Sequence, residues 1–249
     1  PGPARGRDRS TLRLALRLNR GSLITWSVAF VALGVVFGYF ATSIRDVLGS
    51  DSAIRQVLAA GATTPDALLA AFLTTMLSLV GIIASISGVQ AMVKVRTEEM
   101  EDRVEPIIAT AASRPRYYAS NVVVALSTST VCVLVAGALI ALLASTADLG
   151  ISFDEALLQA VVTVPAVWTV VAVAVAVIGA RPQVMLAAWA GVLLSFVLTV
   201  LGPSFNLWDW ILAISPFWHI PKVTAADADW MGLILITTAT VVLLAVGFA

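Results

Sequence analysis

Residues 94–118 read KVRTEEMEDRVEPIIATAASRPRYY, and the reading of this stretch decides the fold. It holds ten charged side chains, in a chain with only fifteen acids and fifteen bases. The flanking runs, 67–93 and 118–143, carry none. Each is long enough to cross a hydrocarbon core as a helix, which takes about 20 apolar residues. A charged island between two such runs reads as a loop on one side of a bilayer, joining two antiparallel membrane helices.

The rest of the chain agrees. Of 249 residues, 59% are hydrophobic and 12% charged, and mean hydropathy is +0.97. Soluble domains carry roughly 25% charged residues, and a soluble fold of this size could not cover itself with so little polar material. Net charge is zero, so no global field points to nucleic acid. Six apolar stretches reach membrane length: 22–42, 67–93, 118–143, 156–178, 182–201 and 230–249. They are unbroken and lack the two-residue alternation of a barrel strand. The expected fold is an all-α integral membrane protein. Residues 1–21 form a linker and an amphipathic connector helix, and 22–249 form a six-helix transmembrane domain.

Basic residues orient the spans. Arg5, Arg7, Arg9, Arg13, Arg17 and Arg20 precede the first; Lys94, Arg96, Arg103, Arg114 and Arg116 follow the second; Arg181 follows the fourth. All fall on one side, expected to be cytoplasmic in a multi-pass protein of the cell membrane with its N-terminus inside. The other side receives Arg45, Arg55, Lys222 and nine acids, among them Asp148, Asp154, Glu155 and Asp209. The start lacks a methionine and the end stops inside an apolar run. The expectation is a piece of a longer chain.

Two flanking segments carry patterns of their own. In STLRLALRLNRG, Arg13, Arg17 and Arg20 share one helical face, with leucines to either side. This suits an interfacial helix with its arginines near lipid phosphates, or simply a positive-inside anchor. Between the fifth and sixth spans, 203–229 includes Trp208, Trp210, Phe217, Trp218 and His219. Such rings favour the membrane boundary. FNLWDWILAIS is too short to span, so a re-entrant or interfacial helix is expected there, ended by Pro216 and Pro221. It would be an outer gate or an anchor.

Several function classes lack their residues. No acid, base or histidine lies in the core of any span, where proton relays and ion sites would need one. The lone Cys132 and lone His219 cannot build a metal centre, and no P-loop, HExxH or GxSxG motif occurs. Serines and threonines within spans read as helix back-bonders. A chain without an internal energy source is passive, structural or driven by a partner, and a driven chain needs a handle.

Residues 94–117 offer one. Thr97 can cap, Glu98, Glu99 and Glu101 follow, and residues 98, 101, 102 and 105 share a face. Pro106 breaks the run, a small apolar patch follows, and RPRYY closes it. An acidic face, an apolar patch and a basic anchor together suit docking in a partner's groove.

The order RTEEMEDRVEPIIATAASR resembles the cytoplasmic coupling loop of ABC type-2 exporter permeases. Glu98, Glu99, Glu105, Ile107, Ile108, Ser113 and Arg114 match that pattern. The family has glycine near position 102, where this chain has Asp102, so the helix can run on to Pro106. ISPFWHIP, before the last span, is similar to the SPF-x-H stretch of actinobacterial multidrug permeases of the tetronasin-resistance type. The resemblance implies a permease half that effluxes hydrophobic drugs or antibiotics, paired with a second six-span half. It further implies two cytoplasmic ATP-binding subunits that hold ATP and Mg, with no cofactor in this chain and no catalytic residue. Glu98, Glu99, Glu101, Arg103, Glu105, Ile107, Ile108 and Arg114 would meet those subunits, as would the connector with Arg13, Arg17 and Arg20. Met185, Trp189, Phe196 and Thr199, at i, i+4, i+11 and i+14, would line the substrate path. A membrane scaffold without transport, or an exporter of lipid or polysaccharide, remains the alternative.

Overall fold

A computed structural model describes residues 7–50, 65–100, 114–146, 151–223 and 228–249. Among these residues the structure is helical and contains no strand. Six helices are long and apolar enough to cross a membrane.

The first helix, α1 (Arg7–Ser50), has no proline to interrupt it and runs 44 residues without a break. At 1.5 Å per residue it is about 66 Å long, well beyond a bilayer core of about 30 Å. The connector and the first span are therefore one rod. Helix α2 (Pro65–Met100) opens on proline, whose missing N–H is no loss in a first turn. It too outruns the membrane and carries residues 94–100 as its own last turns. Helix α3 (Arg114–Thr146) returns across the bundle.

Helix α4 (Phe153–Ala180) begins with a complete capping box. The Glu155 amide donates to the Ser152 side chain, and the Glu155 carboxylate accepts from the Ser152 amide at 2.9 Å. Pro165 sits inside α4 without ending it. What ends it is Pro182, which holds Arg181 out of helical geometry (φ −140°, ψ 74°).

The fifth crossing departs from the uniform helix expected over 182–201. It enters as a 3-10 segment (Pro182–Trp189) with a kink at Val184, becomes α5 (Ala190–Phe196), and leaves through a π turn (Val197–Leu201). The segment beyond it differs as well. The re-entrant or interfacial helix expected over FNLWDWILAIS is shortened to one helical turn, α6 (Asp209–Leu212), set between a 3-10 turn at Pro203–Phe205 and another at Pro216–His219. Asn206, in the left-handed region at φ 48°, reverses the chain between the first of these turns and α6. The last crossing is α7 (Trp230–Phe248), capped by Asp229.

The helices sort into two groups. α2, α3 and α4 pack on one another, and half or more of each apolar window is buried (61%, 50% and 72%). α1 lies along α3, α7 lies along α4, and with the fifth crossing they form a periphery only about a fifth buried. Small residues set the closest approaches. Gly34 and Gly38, four apart on α1, meet Ala136 and Leu143 of α3, and a Cβ at Gly34 would lie 2.8 Å from the Ala136 backbone. Gly179 of α4 faces Gly247 of α7 backbone to backbone, so neither tolerates a side chain without the helices parting.

Candidate functional site

Polar contacts between elements gather mainly at the two ends of the bundle. The end carrying residues 94–118 is the basic end, and the end carrying 203–223 is the aromatic end.

At the basic end, α2 presents Gln90, Lys94 and Glu98 at successive i, i+4 positions, hence on one face. Each meets another helix or a neighbour in the row. Gln90 Oε1 accepts from Trp26 Nε1 of α1 at 3.1 Å. Lys94 Nζ lies 3.4 Å from Asn19 Oδ1 of α1 and 3.7 Å from Glu98 Oε1. Glu98 Oε2 accepts from the Tyr117 hydroxyl of α3 at 3.1 Å. Asn19 is itself buried and donates to Ala15 O. One residue on, Glu99 pairs with Arg96 at 3.2 Å, and Tyr118 of α3 donates to Val175 O of α4 at 2.8 Å. The side chains of Glu98 and Glu99 are 23% and 14% exposed. Glu98 is thus bonded across to α3, and Glu99 is paired on its own helix.

The remaining loop residues of that expectation, Glu101, Arg103, Glu105, Ile107 and Ile108, lie outside the described residues; Arg114 opens α3. Arg13, Arg17 and Arg20 are exposed along α1, as are Leu12, Leu14, Leu16 and Leu18. Ala15 and Asn19 form the inward edge between them.

At the aromatic end the segment after the fifth crossing is folded down onto the bundle. Gln159 of α4, 2% exposed, uses both ends of its amide. Nε2 donates to Pro221 O at 3.1 Å, and Oε1 accepts from the Val223 amide at 2.9 Å. Phe217, buried, packs over Gly81 of α2 beside Thr163 and Val167 of α4. Ser215 bonds to Thr199 at 2.9 Å, and His219 Nε2 to Ala213 O at 2.8 Å. Trp208, Trp210 and Trp218 stay exposed, the first two ring to ring at 6.2 Å. The aromatic residues of this segment therefore divide: Phe217 is a wedge and the tryptophans form a rim.

Of the four residues expected along a substrate path, Met185 is half-buried, Trp189 packs against the buried core, Phe196 is exposed, and Thr199 bonds to Ser215. Spacing arithmetic at 3.6 residues per turn fails across a crossing that begins at 3.0 and ends in a π turn.

In-span hydroxyls behave as expected: Ser85, Ser87, Thr128 and Thr163 bond back to carbonyls three or four residues earlier. Two cases go further and tie helices together. Trp168 Nε1 donates to Thr130 of α3 at 2.9 Å, and Thr169 of α4 lies 2.8 Å from Thr240 of α7. Sequence reasoning missed Gln90 and Gln159. The signal for Gln90 was available in its i, i+4 row with Lys94 and Glu98. Gln159 could have been marked as an amide within an otherwise apolar span.

Comparison with known proteins places these features in a family. The family model of the multidrug efflux system permease Rv1217c, C-terminal domain, matches residues 9–249. The multidrug efflux system permease protein Rv1217c of Mycobacterium tuberculosis is 33% identical over 237 residues, covering 94% of this chain. The chain spans 43% of that relative's length.

Proposed function

The chain belongs to the family of the Rv1217c multidrug efflux permease C-terminal domain, and from that premise we propose that it is the permease half of an ATP-driven ABC exporter. Its cargo is a hydrophobic drug or antibiotic, its site the cell membrane, and its basic end cytoplasmic. Two cytoplasmic ATP-binding subunits hold ATP and Mg, and a second six-span half completes the path. This chain contributes no catalytic group.

The observation that carries the reading is the rigid handle. Helix α2 leaves the membrane without a break and continues through Glu98 and Glu99 to Met100. A partner that moves this end moves a rod that reaches the packed centre of the bundle. That is a means of turning work done outside the membrane into rearrangement inside it, and it needs no charge within the spans. Among the described residues no acidic or basic side chain is fully buried, and such apolar surroundings favour an apolar or amphipathic cargo over an ionic one.

The test uses the full-length permease with its co-expressed ATP-binding subunits in inverted membrane vesicles. Accumulation of rhodamine 6G should require ATP and disappear when the ATP-binding subunits are omitted. If no ATPase co-purifies with the permease and ATP has no effect on the dye, the exporter reading falls.

A further inference from the structure

We infer that the Gln90–Lys94–Glu98 row, closed by Tyr117, is a clasp that sets how tightly ATP hydrolysis is coupled to transport, with Tyr117 as its positioning residue. This rests on the exporter reading above and assigns residues to its transmission step.

The clasp lies where a transmitting element has to be stiff. α1 packs mainly along α3 and touches α2 far less. Among the described residues, side-chain bonds from α1 to α2 include Trp26–Gln90 and Asn19–Lys94. Tyr117–Glu98 bonds α2 to α3 at this level. Without these links, the end of α2 could swing against α1 and α3, and a push on the loop would bend the handle instead of moving the bundle. Tyr118, bonded to Val175 O, carries the connection on to α4. The ends of α1, α2 and α3 are thereby joined through one row of side chains, and Tyr118 separately ties α3 to α4.

The links are unequal. The Lys94–Glu98 pair is long, with the lysine side chain 44% exposed, so solvent screens it. Tyr117 is 4% exposed and its hydroxyl meets a carboxylate. A hydrogen bond to a charged acceptor, away from water, is the stronger kind. Tyr117→Phe removes that hydroxyl and no other atom. Glu98→Gln keeps an oxygen that can accept from Tyr117 and removes only the charge.

The experiment uses the full permease with its ATP-binding subunits in proteoliposomes. It measures ATP hydrolysed and rhodamine 6G moved for the intact complex, Tyr117→Phe and Glu98→Gln, with thermal unfolding of each. In Tyr117→Phe, dye moved per ATP should fall roughly tenfold, the factor governed by one such bond, while hydrolysis continues. Glu98→Gln, which weakens the bond by removing the charge but keeps an acceptor, should lower the ratio by a smaller factor than Tyr117→Phe. If hydrolysis, transport and thermal stability fall in step in Tyr117→Phe, the bond is structural only and the coupling role is wrong. An unchanged ratio in Tyr117→Phe also overturns it. If the intact complex neither hydrolyses ATP nor moves dye, the exporter reading fails first, and the clasp loses its role with it.

Discussion

At the residue scale, the chain places amides where a charge would be costly. Gln159 is buried in a span, yet both ends of its side chain are satisfied by the backbone at 221 and 223. A neutral amide can do this without the penalty of burying an ion. Its removal should be felt through the partners it strands. Gln159→Leu leaves the Pro221 carbonyl and the Val223 amide without that partner, and each unmet buried group costs about 1–3 kcal/mol. The expected outcome is a lower unfolding temperature in detergent together with faster hydrogen exchange over 216–223. Exchange unchanged in that segment would show that Phe217, seated over Gly81, holds it unaided.

At the element scale, one helix offers the same substitution twice with opposite expected signs. Gly21 on α1 has open space around it, whereas Gly34 lies against the Ala136 backbone. Gly21→Ala should stabilise by up to about 1 kcal/mol through helix propensity alone. Gly34→Ala places a Cβ 2.8 Å from Ala136 Cα and should destabilise by roughly 1–3 kcal/mol through overpacking. Thermal unfolding of the two variants side by side checks the pair, and equal effects would mean that α1 does not rest on α3 as described. The contrast also shows what the sequence could tell. Run length and charge placement revealed six crossings, because a bilayer imposes both. They could not show that α1 is one rod, since a connector and a span read alike when no proline intervenes. Nor could they show that the fifth crossing changes pitch. Pro182 marks its start, but the π turn at Val197–Leu201 has no punctuating residue within it. At the basic end the loop motif marks Glu98 and Glu99 but not the residues that meet them: Tyr117 of α3 for Glu98, and Arg96 on the same helix for Glu99.

At the scale of the whole molecule, the buried trio α2, α3 and α4 and the exposed periphery of α1, fifth crossing and α7 divide the labour. The trio carries the packing; the periphery presents apolar side chains such as Val28, Leu193 and Val241 outward. Only a bilayer or another apolar surface accommodates such a boundary, so the whole arrangement stands or falls with the sidedness of its ends. Six crossings put Arg13 and Gln183 on one side and Trp208 on the other. Cys132 is fully buried and so does not compete for an impermeant thiol reagent. Single cysteines introduced as Arg13→Cys, Gln183→Cys and Trp208→Cys sit at exposed positions. In intact cells a membrane-impermeant maleimide should label the last alone, and the other two only after permeabilisation. Reversed labelling of all three would invert the orientation and remove any cytoplasmic role for the basic clasp. If residues 13 and 183 fall on opposite sides, a crossing between them is missing. The irregular fifth crossing would not be at fault, since it begins only at Pro182.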